Sequence, residues 1–248
     1  MNMLVARGLA VRAGNRRLIA GLDWTVGKGE FWCVLGRNGA GKSSLLNVLA
    51  GLVAAAEGIV EIAGTPIHAI DPLLLARRRG LMMQQVVDSF SCPVFDAVAI
   101  GRTPLRVGRA WDVTEDVAKV NQALARVGML ERAFEDVKRL SGGERQRVAL
   151  AALLAQEVPL MLLDEPTSHQ DVAHQLSVMR LLQELAADHA VIATCHDINL
   201  VARFATHVLL IGDGFHVAGK ANEVLTEDAL QSVFGCQFAR QGESFLPA

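Results

Sequence analysis

The run Gly36-Arg37-Asn38-Gly39-Ala40-Gly41-Lys42-Ser43 constrains this chain more than any other stretch, because its spacing matches G-x-x-x-x-G-K-[ST]. The apolar run Phe31–Leu35 precedes it and residues 43–52 read as a helix, so the pattern sits on a strand–loop–helix unit. Glycines there let successive backbone N–H groups turn inward around a phosphate, where larger side chains would obstruct it. The N-terminus of the following helix adds its partial positive charge. Lys42 is suited to bridge the β- and γ-phosphates of a nucleotide and the Ser43 hydroxyl to ligate Mg2+, with Ser44 counted among the nucleotide-binding residues. A glycine-rich turn before an amphipathic helix is the plainer alternative. The strand before it and the helix after it weigh against that alternative.

A second anchor is Leu160–Leu163 followed by Asp164 and Glu165. A continuous apolar run of this kind reads as a central parallel strand covered on both faces. Acidic residues at its C-terminal end sit where ligands bind in doubly wound sheets. Asp164 is suited to hold Mg2+, and Glu165 to polarise an attacking water. Taken alone, a solvated acidic strand end is the better account of both; the phosphate loop upstream reverses that. The third anchor is Leu140-Ser141-Gly142-Gly143-Glu144, before an amphipathic stretch over residues 145–156. Ser141 is a good N-cap and Glu144 completes a capping box. Two glycines inside a helix start are costly, and are better explained if backbone N–H groups must approach an anion. Two phosphate-binding helix ends in one chain, with few signs of two nucleotide domains, point to sharing between protomers.

Composition removes several other classes. At 248 residues and 51% hydrophobic, the chain supports a large α/β core and is neither disordered nor collagen-like. Three Trp, nine Phe and no Tyr are few for a β-sandwich or for an aromatic platform that stacks single-stranded nucleic acid. A net charge of −2 speaks against a protein that grips a nucleic-acid backbone. Apolar runs such as residues 48–56 fall far short of the ~20 residues of a spanning helix, and residues 1–7 lack a signal-peptide layout. Cys33, Cys92, Cys195 and Cys236 form no C-x-x-C pair and read as small hydrophobes in a reducing compartment. The chain therefore reads as soluble and cytosolic. His169 and His174 are five apart, the wrong spacing for a metal pair on one helical face.

Together, Gly36–Ser43, Leu140–Glu144 and Leu160–Glu165 resemble the nucleotide-binding subunit of an ABC transporter, over about residues 3–236. The resemblance implies a P-loop NTPase of α/β class. Its parts would be a RecA-like core sheet, an N-terminal antiparallel β-subdomain and an inserted α-helical subdomain. In this chain residues 1–84 and 157–248 would form the first two, and residues 85–156 the third. It also implies ATP and Mg2+ as cofactors, and a head-to-tail homodimer with ATP between one phosphate loop and the partner's Ser141, Gly142, Gly143 and Glu144. By the same resemblance, Gln84 is the Q-loop glutamine, which senses Mg2+ and the membrane partner. Ser168-His169-Gln170-Asp171 is the D-loop, with Asp171 at the dimer interface, and His196 is the switch histidine. Read without the family, His196 ends an apolar run as a core histidine would. Catalysis would fall to Glu165, His196 and Gln84, and Mg2+ to Ser43, Gln84 and Asp164.

The implied partners are integral membrane permease subunits and, through them, an exported cargo-binding protein, with the chain peripheral on the cytoplasmic face of the membrane. Val86, Val87, Phe90 and Phe95 are candidate apolar contacts for a permease, with core packing as the alternative. Expected helices in the insert span residues 94–101 and 113–127, the second after an Asp112…Glu115 capping pattern. Gly101-Arg102-Thr103-Pro104, and Val224-Leu225-Thr226 followed by Leu230…Phe234, resemble importers of iron–siderophore, haem or cobalamin.

Two other classes compete. ABC-type ATPases that act on nucleic acid usually carry long coiled-coil arms, yet Leu140 follows Ser43 by only 97 positions, without sustained heptads. A P-loop kinase would not need Ser141-Gly142-Gly143. The chain departs from the family at Gln170, where Leu is common, and at Met83, where Pro is. Ala13 stands where relatives place an aromatic ring on adenine, leaving Arg16, Arg17 or Leu18 to contact the base.

Overall fold

In the computed structural model, residues 1–84, 90–106, 113–242 and 244–247 are described. Val86, Val87 and Asp112 lie outside them. Strands β1 (Asn2–Ala13) and β2 (Arg16–Gly27) form a long antiparallel hairpin. β3 (Phe31–Gly36) then runs through the glycine-rich loop into α1 (Lys42–Leu49). That helix stops three residues short of the expected end, because Gly51 adopts a left-handed φ of 73°. β4 (Glu57–Ile62) returns to pair with β1, and short β5 (Thr65–Pro66) pairs with β4, completing a four-stranded sheet in the order β2-β1-β4-β5.

Helix α2 (Pro72–Arg78), capped by Asp71, leads into β6 (Arg79–Met82). A helical stretch follows: α3 (Val94–Ala99), α4 (Thr103–Arg106), α5 (Val113–Arg126) and α6 (Gly142–Ala155). Between α3 and α4 the chain tightens into a 3-10 turn at Ile100–Arg102. There Arg102 enters a buried ion pair with Asp116 at 2.8 Å, their side chains 5% and 8% exposed, and also bonds the Ala155 carbonyl at the end of α6 and Glu157 just beyond it. Phe95 is half-buried against the main core, whereas Phe90 is 83% exposed, so the two of the four expected permease contacts that are described divide.

The rest of the chain alternates strand and helix: β7 (Leu160–Leu163), α7 (Val172–Ala186), β8 (Ala190–Thr194), α8 (Ile198–Phe204), β9 (His207–Gly212). Antiparallel β10 (Phe215–Lys220) closes the edge of a six-stranded sheet ordered β10-β9-β3-β8-β7-β6, otherwise parallel. Helices α9 (Ala221–Val224) and α10 (Glu227–Phe234) and a small hairpin, β11 (Phe238–Gln241) with β12 (Ser244–Pro247), complete it.

Strand periodicity divides the core in two. Phe31, Cys33 and Leu35 of β3 face one apolar cluster with Met161, Leu163, Val191 and Ala193, where α3, α5, α6 and α7 also pack. Trp32 and Val34 face the other, with Leu160, Leu162, Ile192 and the inner face of the N-terminal sheet. A sheet covered on both faces needs the near-continuous apolar strands seen in the sequence. The C-terminal ends of its five parallel strands open toward one side, where α1 and α8 begin.

Candidate functional site

The ends of β3, β6, β7 and β8 bring the acidic, amide and imidazole groups together beside the glycine-rich loop. Gly41, immediately before α1, has φ 102°, and a Cβ there would lie 2.9 Å from Leu18 Cβ, so both backbone and space demand glycine. Lys42, at the head of α1, donates from Nζ to the carbonyls of Gly36 at 2.9 Å and Arg37 at 3.3 Å. Burial pushes its ammonium below the ordinary lysine value, while Glu165 and Asp164 pull it back up.

A cavity of about 540 Å3 opens over this loop, lined by Asn38, Gly39, Gly41, Lys42, Ser43 and Ser44. Gln84, Glu165 and His196 form its opposite wall, and Ala13, Arg16 and Leu18 of the N-terminal hairpin its outer end. Glu165 is the hub. Its carboxylate accepts from Gln84 Nε2 at 2.7 Å on one oxygen and contacts His196 Nε2 with the other. Its backbone is left-handed, φ 51°, a conformation costing a non-glycine residue about 1–3 kcal/mol. Three hydrogen bonds hold it there. The Glu165 N–H donates to Thr194 Oγ1 at 2.8 Å, and its carbonyl accepts from Gln146 Nε2 at 2.7 Å and from Ser168 N at 3.1 Å.

Asp164 lies just below the cavity, 7% exposed, and accepts from Thr194 Oγ1 at 2.7 Å. Ser43, Gln84, Asp164 and Glu165 offer hydroxyl, amide and carboxylate oxygens, the hard donors that suit Mg2+. Among the described residues no cluster of three His, Cys, Asp or Glu makes an all-protein cage. One or two carboxylates and a hydroxyl fit an ion that completes its shell with phosphates and water.

Other expected residues stand apart from this lining. Gly36 closes β3, and Arg37 reaches away, its Nη1 3.8 Å from the Cβ position of Gly235. Ala40 N donates to the Arg37 carbonyl at 3.1 Å, tightening the loop. Ser141, Gly142, Gly143 and Glu144 form the expected capping box at the head of α6, beyond the cavity. The glycines have a local reason as well: a Cβ on Gly143 would meet the His169 carbonyl oxygen at 3.1 Å. Asp171 caps α7, accepting from His174 N at 2.9 Å and meeting the His174 ring, and these bonds hold its carboxyl below the usual range.

Thr194 and Gln146 escape the sequence reading although they fix Glu165. Thr194 leaves a trace in the sequence, a lone hydroxyl inside the apolar run Val191–Cys195. Gln146 leaves none, being one polar residue among several at the start of an amphipathic helix.

Comparison with known proteins gives the site its context. Residues 19–168 match the ABC transporter family. The hemin import ATP-binding protein HmuV of Streptomyces coelicolor is 42% identical over 234 residues, covering 94% of this chain and 83% of that protein. The cobalamin import ATP-binding protein BtuD of Halobacterium salinarum is 39% identical over 235 residues, and the chain spans only 58% of its length. Among solved structures, an inward-facing transporter described as of the metal-chelate type superposes with TM-score 0.84 at 30% identity, over 99% of this chain and 96% of that one. A dimeric ATP-binding cassette in a post-hydrolysis state with ADP and Pi gives 0.77 at 25% identity, over 88% and 99%. With the phosphate loop, the acidic strand end and the six-stranded core in one arrangement, the chain belongs to the ABC transporter family.

Proposed function

We propose that this chain is the ATP-hydrolysing motor subunit of an import system for haem, cobalamin or an iron chelate. The observation that carries the reading is Glu165, fixed by its backbone and held between Gln84 and His196 across one cavity from Lys42. ATP would lie with its phosphates on the loop Gly36–Ser43 and its base toward Ala13, Arg16 and Leu18. Lys42 balances phosphate charge, exchanging the Gly36 and Arg37 carbonyls for phosphate oxygens. Glu165 orients a water for in-line attack and accepts its proton, while His196 steadies the γ-phosphate and the placement of Glu165. Ser43, Gln84 and Asp164 would hold Mg2+, which would supply charge neutralisation of the phosphates.

The relatives' names support import and its cargo classes, and membrane subunits as partners. Among the described residues no helix is long and apolar enough to cross a membrane, which fits a peripheral subunit on the cytoplasmic face. Residues 1–84 and 157–248 would act as β-subdomain and catalytic core, with residues 85–156 as the helical part, since α3 to α6 all fall there. A mainly apolar cavity of about 540 Å3 beside Met83, Ile100, Pro104 and Val148 is where this part would receive a permease. Ser141–Glu144, which do not line their own cavity, would complete that of a second copy.

Glu165→Gln tests the reading. Turnover should fall by ~10²–10⁴, about 3–5 kcal/mol in the barrier, with ATP binding retained. Wild-type turnover in this variant would remove Glu165 from its role. Cargo is tested by ATPase activity in vesicles carrying the permease and a binding protein loaded with haem, cobalamin or ferric hydroxamate. The true cargo stimulates hydrolysis.

A further inference from the structure

The helix after His196 is tied at its first turn to a part of the chain that none of these steps uses. α8 has seven residues, too few to hold a direction by itself. Leu200, Val201 and Phe204 key it to the main core, and Asp197 caps it, accepting from Asn199 N at 2.8 Å and Leu200 N at 3.0 Å. Apolar packing is non-directional, so it resists rotation and sliding of so short a helix only weakly.

Directional restraint comes from Asn199. Its Oδ1 accepts from Phe245 N at 2.7 Å, and its Nδ2 donates to the Phe245 carbonyl at 3.2 Å. One side chain thus takes both backbone groups of a β12 residue, as a neighbouring strand would. Phe245 is itself anchored: it is 4% exposed in the main core, with the Arg240 guanidinium 5.6 Å from its ring centre. The hairpin is bound to α10 through Arg240 N, which donates to Glu227 Oε1 at 2.7 Å, and through Phe234 and Phe238, whose rings meet edge to face at 5.9 Å. α10 ends at Gly235, close to Arg37 of the phosphate loop, where the helix dipole favours a cation. Residues 227–242 and 244–247 therefore touch the chain on either side of the site without lining the cavity, at Arg37 of the phosphate loop and, through Asn199, at the first turn after His196.

We propose that Asn199 is a positioning residue for ATP hydrolysis, holding His196 against Glu165 through its two-point hydrogen bond to Phe245. The proposal rests on the hydrolytic reading given above. It assigns the hairpin a task at the site although no hairpin residue lines the cavity.

The test is a double-mutant cycle in the full chain, with kcat and KM for MgATP, ATP affinity by equilibrium titration, and thermal unfolding. Asn199→Ala should lower kcat about tenfold, leave ATP affinity within about twofold, and cost nothing further in a His196→Ala background. Labelling of His196 by diethyl pyrocarbonate, read by mass spectrometry, should rise in Asn199→Ala, reporting its release without turnover. Asn199→Asp, which keeps the acceptor for Phe245 N but turns a carboxylate on the Phe245 carbonyl, should also lose kcat. It is the deciding variant if Asn199→Ala is unfolded at the assay temperature. Unchanged kcat and labelling in the folded variant, or an equal loss in the His196→Ala background, overturns the proposal. Full turnover in His196→Ala alone overturns the reading of the site, and the proposal with it, so the two failures are told apart.

Discussion

At the scale of single residues, the outer end of the cavity is the part least supplied with binding groups. Ala13 offers a methyl, Leu18 an apolar edge, and Arg16 a guanidinium 3.0 Å from exposed Asp213. Base–aromatic stacking contributes about 1–3 kcal/mol elsewhere, so Ala13→Tyr should tighten ATP binding by roughly 5- to 100-fold, measured by calorimetric titration. Unchanged affinity would mean the base does not reach this end. Beneath the loop, burial pushes the Cys195 thiol up to about 11 and raises Cys33 as well. A raised acid pKa stabilises the fold fully below the unfolded value near 9, and the contribution is lost as pH rises from there through the folded value. Denaturant titrations at pH 8 and pH 10.5 should show stability falling, with on the order of 2 kcal/mol of the fall from Cys195, and Cys195→Ala should lessen that slope while Cys33 keeps its share.

At the scale of elements, legibility in the sequence follows how local each determinant is. The loop Gly36–Ser43, the cap at Ser141 and the covered strand Leu160–Leu163 are written in consecutive residues, and each is found where the sequence places it, within a few residues. The residues expected at the cavity wall come from three strand ends, and parallel pairing brings Gln84, Glu165 and His196 together. Hairpin β11–β12 is not legible in the sequence. Its four-residue strands carry little pattern, and what holds them is tertiary: Asn199, Glu227 and the buried Phe245. Thr194 and Gln146 are hidden for the same reason, since their partners lie 29 and 19 residues away. The Arg102–Asp116 pair is a further non-local tie, joining the turn after α3 to α5 in a site closed to water. Asp116→Ala removes the buried charge-assisted bond but leaves Arg102 its pairing with Glu157, so it should cost about 1.5–3 kcal/mol in urea unfolding. A loss below 1 kcal/mol would show that water reaches the pair.

At the scale of the whole molecule, one chain carries two features that do not meet within it. Lys42, Glu165 and His196 share a cavity, while Ser141–Glu144 sit outside it with the Ser141 hydroxyl and the head of α6 exposed. Gln146 links them, reaching from α6 to the Glu165 carbonyl, so movement of the helical part is felt at the base of the hydrolytic carboxylate. A motor needs such a link, because closure around nucleotide must be passed to a neighbour. The shared-site account is tested most directly by sedimentation of the Glu165→Gln variant with and without MgATP. The account predicts monomers without nucleotide, dimers with it, and monomers in both conditions once Ser141→Arg is added. A dimer that persists with Ser141→Arg, or no ATP-dependent dimer at all, would contradict it.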